Sequence, residues 1–144
     1  MSCSRKGGQV RPISEVTFPD TVVMFVAGDP GRPLPEQSQQ AFAALEGALD
    51  SFRGWRFFGV VVGGGYRACA SLVETDDVAD LPHPTWTIPG GRYARRRIPD
   101  WEQHSEQIGP AFEALYALPN VDPRRPAIEY YRSRRELFVM VPIE

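Results

Sequence analysis

The sequence predicts an α+β fold: duplicated β-α-β-β units that pack as a pseudo-two-fold pair around one antiparallel sheet, with the helices on one face. Three observations predict it. Apolar hairpin patterns at Trp55 to Val73 and at Ala127 to Ile143 recur about 70 residues apart. Each follows an amphipathic helical segment, and each helical segment follows an extended apolar run. Neither half alone could bury a two-sided sheet well, so the two are expected to fold as one body. The chain has 144 residues, 42% of them hydrophobic, which suits one domain around one core. Residues 1–12 read as a polar tail and 13–144 as the domain. Within it the first repeat covers about 13–74, a linker 75–84 and the second repeat about 85–143.

Val16 to Asp20 leads into Thr21 to Ala27, a β-branched and aromatic run closed by the turn residues Gly28-Asp29-Pro30-Gly31. Pro35 to Phe52 carries Phe42, Leu45, Leu49 and Phe52 at helical spacing, with Gln37 to Gln40 and Glu46 elsewhere on the cylinder and Gly54 as the stop. Trp55 to Val62 and Tyr66 to Val73 then pair across Gly63-Gly64-Gly65. In the second half, Thr85 to Ile98 is extended chain broken at Pro89-Gly90-Gly91. Pro99-Asp100 opens a helix with Trp101, Ile108, Phe112 and Leu115 along one side, and Asp100 with Gln103 has the spacing of a capping box. Gly109-Pro110 predicts a kink, or two short helices, because proline deletes a backbone bond. Pro119 to Pro126 is a loop before the closing hairpin.

Composition removes several functions. With 18 acidic against 16 basic residues and a net charge of −2, a direct nucleic-acid binder is not expected. No apolar run approaches the roughly 18–20 residues of a membrane helix, and the first residues lack the apolar stretch of a signal peptide. Cys3 and Cys69 make no disulfide framework and point to a reducing cytoplasm, with Cys69 read as a small buried hydrophobe. His83 and His104 stand at no ligand spacing, so neither metal nor other cofactor is expected. Gly63-Gly64-Gly65 precedes a strand and not a helix N-terminus, which makes no phosphate cradle. Arg95-Arg96-Arg97, Arg124-Arg125 and Arg132-Arg134-Arg135 read as solvated faces. No serine, histidine and acid stand in a recognisable nucleophile motif.

The closing hairpin holds the chemistry. A two-residue turn at Ser133-Arg134 would pair Tyr131 with Glu136, Tyr130 with Leu137 and Glu129 with Phe138. Ile128, Tyr130, Leu137, Val139, Val141 and Ile143 would then form the apolar face that receives the helices. Glu129, Tyr131, Glu136, Phe138 and Met140 would share the other. A carboxylate in mid-strand among rings either faces solvent, as the wet side of an antiparallel sheet, or lines a cavity poised for a cation or a proton.

Pro126-Ala127-Ile128-Glu129-Tyr130-Tyr131, followed by Glu136-Leu137-Phe138-Val139-Met140-Val141-Pro142-Ile143, resembles the end of the gyrase-inhibitor-like (GyrI-like) small-molecule-binding domains. Thr87 to Ala94 before the second helix is similar to the same family, as are Phe58-Gly59-Val60 and Tyr66-Arg67-Ala68-Cys69. The resemblance spans about Ile13 to Ile143. It implies a pocket between the halves of a duplicated fold and a stand-alone bacterial protein that binds amphipathic or cationic compounds and protects against toxic ones. The family glutamate on the penultimate strand matches Glu129, and an aromatic on the last strand matches Phe138. Tyr131, Met140, Tyr93, Trp101, Phe112, Trp86 and Tyr66 are the further candidates for pocket walls, where a ring beside a cation adds about 0.5–2 kcal/mol. The resemblance also implies an alternative, hydrolysis of strained cyclopropane-bearing electrophiles, with Glu129 and Tyr131 or Tyr93 as the catalytic pair. A protein partner, gyrase-like or a regulator, would need a surface that the sequence does not mark. No helix-turn-helix precedes the first strand, so direct transcription control is not expected.

Overall fold

The computed structural model describes residues 12–49, 54–72 and 81–144. Most of the expected tail, the expected helix end at Phe52 and most of the linker lie outside those residues. The described chain forms β1 (Ser14–Phe18), β2 (Thr21–Ala27), α1 (Leu34–Gly47), β3 (Phe57–Val62), β4 (Gly65–Ser71), β5 (Thr85–Ile88), β6 (Gly91–Pro99), α2 (Ile108–Tyr116), β7 (Ile128–Ser133) and β8 (Glu136–Pro142). The strands make one antiparallel sheet in the order β1-β6-β8-β7-β3-β4-β2-β5. From its centre outward the order is β7 and β3, β8 and β4, β6 and β2. Each half therefore repeats the other, as the sequence predicts.

β1 was not expected as a strand, and its pairing explains why it forms. Ser14 to Phe18 lies along β6 while Thr21 to Met24 lies along β5, with Phe18 opposite Gly91 and Thr21 opposite Ile88. The register is continuous across Pro19-Asp20 and Pro89-Gly90, so the two halves exchange their first strands at a shared corner. Gly90 donates its N–H to Asp20 Oδ1 at 2.6 Å. A Cβ on Gly90 would stand 2.3 Å from the Phe18 carbonyl oxygen, so only glycine fits that approach.

Each helix is fixed by local chemistry. Gln37 is one of the polar residues expected away from the apolar stripe, yet it is buried with Ala41 and Leu45. Its amide donates to the Arg32 carbonyl at 2.8 Å and accepts the Tyr66 N–H at 3.0 Å, which ties the start of α1 to β4. α1 ends at Gly47, short of the expected apolar position Leu49. The second helix is also shorter than expected. Trp101–Gln103 and Ser105–Gln107 are 3₁₀ turns, and α2 begins only at Ile108. Pro110 thus falls in the first turn, where its missing N–H costs nothing, and it kinks no helix. The capping box does not form: Asp100 has φ 51° and no side-chain cap bond.

The closing hairpin corrects the expected register. Its turn is Arg134-Arg135, Ser133 faces Glu136, and a bulge at Arg132 places Tyr131 opposite Leu137, Tyr130 opposite Phe138 and Glu129 opposite Val139. The extra residue slips the pairing by one, and a one-residue slip exchanges the faces of one strand relative to its neighbour. Glu129 and Tyr131 therefore share a face with Leu137, Val139 and Val141, beneath the helices. Ile128 and Tyr130 join Phe138 and Met140 in the core on the opposite face.

Of the clustered arginines, Arg97, Arg124, Arg132, Arg134 and Arg135 are exposed, as expected, while Arg95, Arg96 and Arg125 are partly buried. Arg125 is 17% exposed and bridges Asp122 at 3.0 Å, donating besides to the carbonyls of Gly90, Arg92 and Ile143. Arg97 and Arg132 both bind Glu136, and Arg95 lies 4.4 Å over the Phe138 ring. Cys69 is buried, as expected, and burial pushes its thiol up to about 12.

Candidate functional site

α1 packs on β4 and β2, and α2 on β8 and β6. The central strands β7 and β3 run between them. A cleft of about 680 Å³ opens there, a volume typical of small-molecule sites. α1 lines it with Ser38, Phe42 and Glu46, one helical stripe beside the buried one. Trp55 and Phe57 form the end beside β3, and Trp101 with Glu102 forms the opposite wall. Tyr131 is the floor, and Arg132, Ser133 and Arg134 lie at the hairpin end. Trp101 is held by its indole N–H, which donates to the Ser133 carbonyl at 3.0 Å.

Beneath that floor lies Glu129. The hydroxyls of Tyr66 and Tyr131 both donate to its Oε1, each at 2.7 Å. Tyr66 also shares a hydrogen bond with Ser38, which links the carboxylate to the wall of the cleft. Burial raises both tyrosine hydroxyls well above their ordinary range, and the neighbouring Glu129 charge raises them further. Both remain protonated donors at neutral pH. Among the described residues, no hydrogen bond reaches Glu129 Oε2.

Gly59 makes this convergence fit. It pairs with Glu129 across β3 and β7. A Cβ at that position would meet the Tyr66 hydroxyl at 1.8 Å and Glu129 Oε1 at 2.6 Å. Phe42 closes the arrangement from above, its ring 5.3 Å from that of Tyr131 and 6.0 Å from that of Tyr66. Trp101 meets Tyr131 edge-on at 5.0 Å.

Of the residues singled out from sequence, the structure brings together Glu129, Tyr131, Tyr66 and Trp101. It does not bring the others to them. Phe138, Met140 and Tyr93 are buried in the opposite core, because of the register slip in the case of the first two. The Tyr93 hydroxyl is engaged with the Pro89 carbonyl at 2.9 Å, so it is not a partner for Glu129. Trp86 packs on that same core and against Phe25, with Arg67 4.7 Å over its ring. Phe112 packs between α2 and its own sheet half and does not line the cleft. Sequence reasoning missed Gly59, Ser38, Phe42, Trp55 and Phe57 as parts of the site. Gly59 carried a signal, since glycine inside a strand marks the close approach of another group.

No protein-family model matches the chain, and no curated protein matches it. Solved structures do. An integron cassette protein from the mobile metagenome of Vibrio cholerae, VCH_CASS2, is 14% identical with a TM-score of 0.66, over 94% of this chain and 97% of its own. SAV2435, solved bound to tetraphenylphosphonium, is 10% identical with a TM-score of 0.58, over 92% and 94%. A hydrolase from Listeria innocua is 12% identical with a TM-score of 0.53, over 94% and 93%. At these identities the likeness is one of fold, and it spans nearly the whole of each chain.

Proposed function

We propose that this protein captures an amphipathic, cationic small molecule in the cleft between α1 and α2, with Glu129 as the counter-charge. The observation that carries this reading is the carboxylate set under an aromatic cleft, with Oε1 taken by two tyrosine hydroxyls. Trp55, Phe57, Trp101 and Phe42 offer ring faces to an apolar cation without demanding one shape. Glu46 and Glu102 on the walls stand against Arg132 and Arg134 at the hairpin end, with Arg132 paired to Glu136, so the preference for a cation falls to Glu129. A neighbour of the same fold, SAV2435, is bound to a small organic cation, which supports the same use here. Fluorescence titration with rhodamine 6G tests it. Glu129→Gln, which keeps the volume and the acceptor oxygen, is expected to weaken binding by at least tenfold, and unchanged affinity rejects the reading.

A second reading rests on the same hydroxyls. Glu129 held by Tyr66 and Tyr131 has the layout of a general base with its supporting donors. Toward a cyclopropane conjugated to a carbonyl, Glu129 takes a proton from water as the water oxygen bonds to a ring carbon. The electron pair of the broken carbon–carbon bond moves toward the carbonyl, and the proton is returned there, so that the net change is addition of water. The neighbour of this fold described as a hydrolase keeps this reading open. Mass spectrometry of such an electrophile incubated with the protein is expected to give a water-added product that Glu129→Gln abolishes. An intact electrophile leaves capture as the function.

A further inference from the structure

Two features of the Glu129 site bear on which cations it takes. The first is its one-sidedness. Both hydroxyl donors fall on Oε1, and among the described residues nothing donates to Oε2. The second is depth. Tyr131 lines the cleft and Glu129 does not. The carboxylate is half-buried behind the Tyr131 floor, boxed on its Oε1 side by Gly59 and Tyr66. A globular cation resting on the rings above would meet Glu129 through space alone. A slender arm ending in N–H would reach Oε2 and complete the carboxylate's hydrogen bonding.

We propose that the ligand is a protonated primary or secondary amine on a short arm attached to an aromatic body, its N–H donating to Glu129 Oε2 while the body lies among Trp55, Phe57, Trp101 and Phe42. This rests on the capture reading above and narrows it from cations in general to hydrogen-bond-donating ones. A charge-assisted N–H···O bond is shorter and stronger than the contact a methylated nitrogen can make. Complete methylation removes the donor and adds bulk at the narrowest point while the charge is kept.

The test compares 2-(1-naphthyl)ethylamine with its N,N,N-trimethyl derivative by isothermal titration calorimetry, on the wild-type protein and on Glu129→Gln. The amine is expected to bind wild type about tenfold more tightly than the quaternary compound, with most of that preference lost in Glu129→Gln. A quaternary compound that binds wild type as well as the amine, both weakened by Glu129→Gln, overturns the donor proposal and leaves the cation cleft standing. If Glu129→Gln weakens neither compound, or neither binds wild type, both the proposal and the capture reading fall. The wild-type comparison alone decides the donor preference, whatever the variant does to folding.

Discussion

Gly59 is the residue on which the geometry of the site turns. Its missing side chain is the space in which the Tyr66 hydroxyl and Glu129 Oε1 meet. Alanine there would push the Tyr66 hydroxyl off the carboxylate or bend β3 away from β7. Overpacking of this kind costs about 1–3 kcal/mol. Gly59→Ala is therefore expected to lower the urea midpoint and to weaken rhodamine 6G binding together, and wild-type values for both would show that the close approach is not needed. Tyr66 and Tyr131 do separate work. Tyr66 is anchored to Ser38 on α1, while the Tyr131 ring is also cleft floor. Phe42 touches both rings and belongs to the same helix as Ser38. Thus the position of α1 on the sheet sets how the carboxylate is presented.

At the scale of the element, that position depends on Gln37. Its buried amide spans the Arg32 carbonyl and the Tyr66 N–H, and no apolar residue can do both. Gln37→Leu leaves a buried backbone donor unpaired, at about 1–3 kcal/mol, and is expected to lower Tm and loosen the cleft wall. An unchanged Tm would mean that the helix is held by Ala41 and Leu45 alone. Gln37 also illustrates what the sequence withheld. The strand and helix order was legible because apolar periodicity reports burial, and the duplication was legible because both halves carry the same order of patterns. A polar side chain that is buried for its hydrogen bonds has no such signature. The bulge at Arg132 has none either. Alternation identified Glu129 and Tyr131 as sharing a face, which the structure bears out, but the bulge decides which face of β8 lies beside them. A hairpin read without the bulge sent Phe138 and Met140 to the site and Leu137 and Val139 away from it. β1 was missed for a related reason: its partner β6 lies in the other repeat, and no local pattern announces that exchange.

The halves of the whole molecule meet along β3 and β7 and at the shared corner, and charge braces the second half's side of that corner. Asp122, 4% exposed, accepts hydrogen bonds from the Arg124 side chain, the Arg124 N–H and the Arg125 guanidinium. Arg125 in turn caps carbonyls of Gly90, Arg92 and Ile143 and lies over the Tyr93 ring. These donors, Arg124 first, hold the Asp122 carboxyl well below its ordinary range. The stability this group supplies is therefore complete above the unfolded value of about 3.9 and is lost as pH falls through the depressed folded value. Tyr66 and Tyr131 act in the opposite sense. Their hydroxyls titrate above the ordinary 10.0 in the fold, so their contribution is complete below about pH 10 and falls as pH rises beyond it. The molecule is thus expected to show a broad stability plateau between an acid and an alkaline limb. Asp122 at the corner and Glu136 in the closing hairpin contribute to the acid limb, and the cleft tyrosines contribute with Tyr93 to the alkaline one. Thermal unfolding across pH separates the two. Asp122→Asn should lower Tm on the plateau and make the acid limb shallower while leaving the alkaline limb in place, and Tyr131→Phe should make the alkaline limb shallower while leaving the acid limb in place. An acid limb as steep in Asp122→Asn as in wild type would assign acid sensitivity elsewhere and remove Asp122 from the account of how the corner is braced.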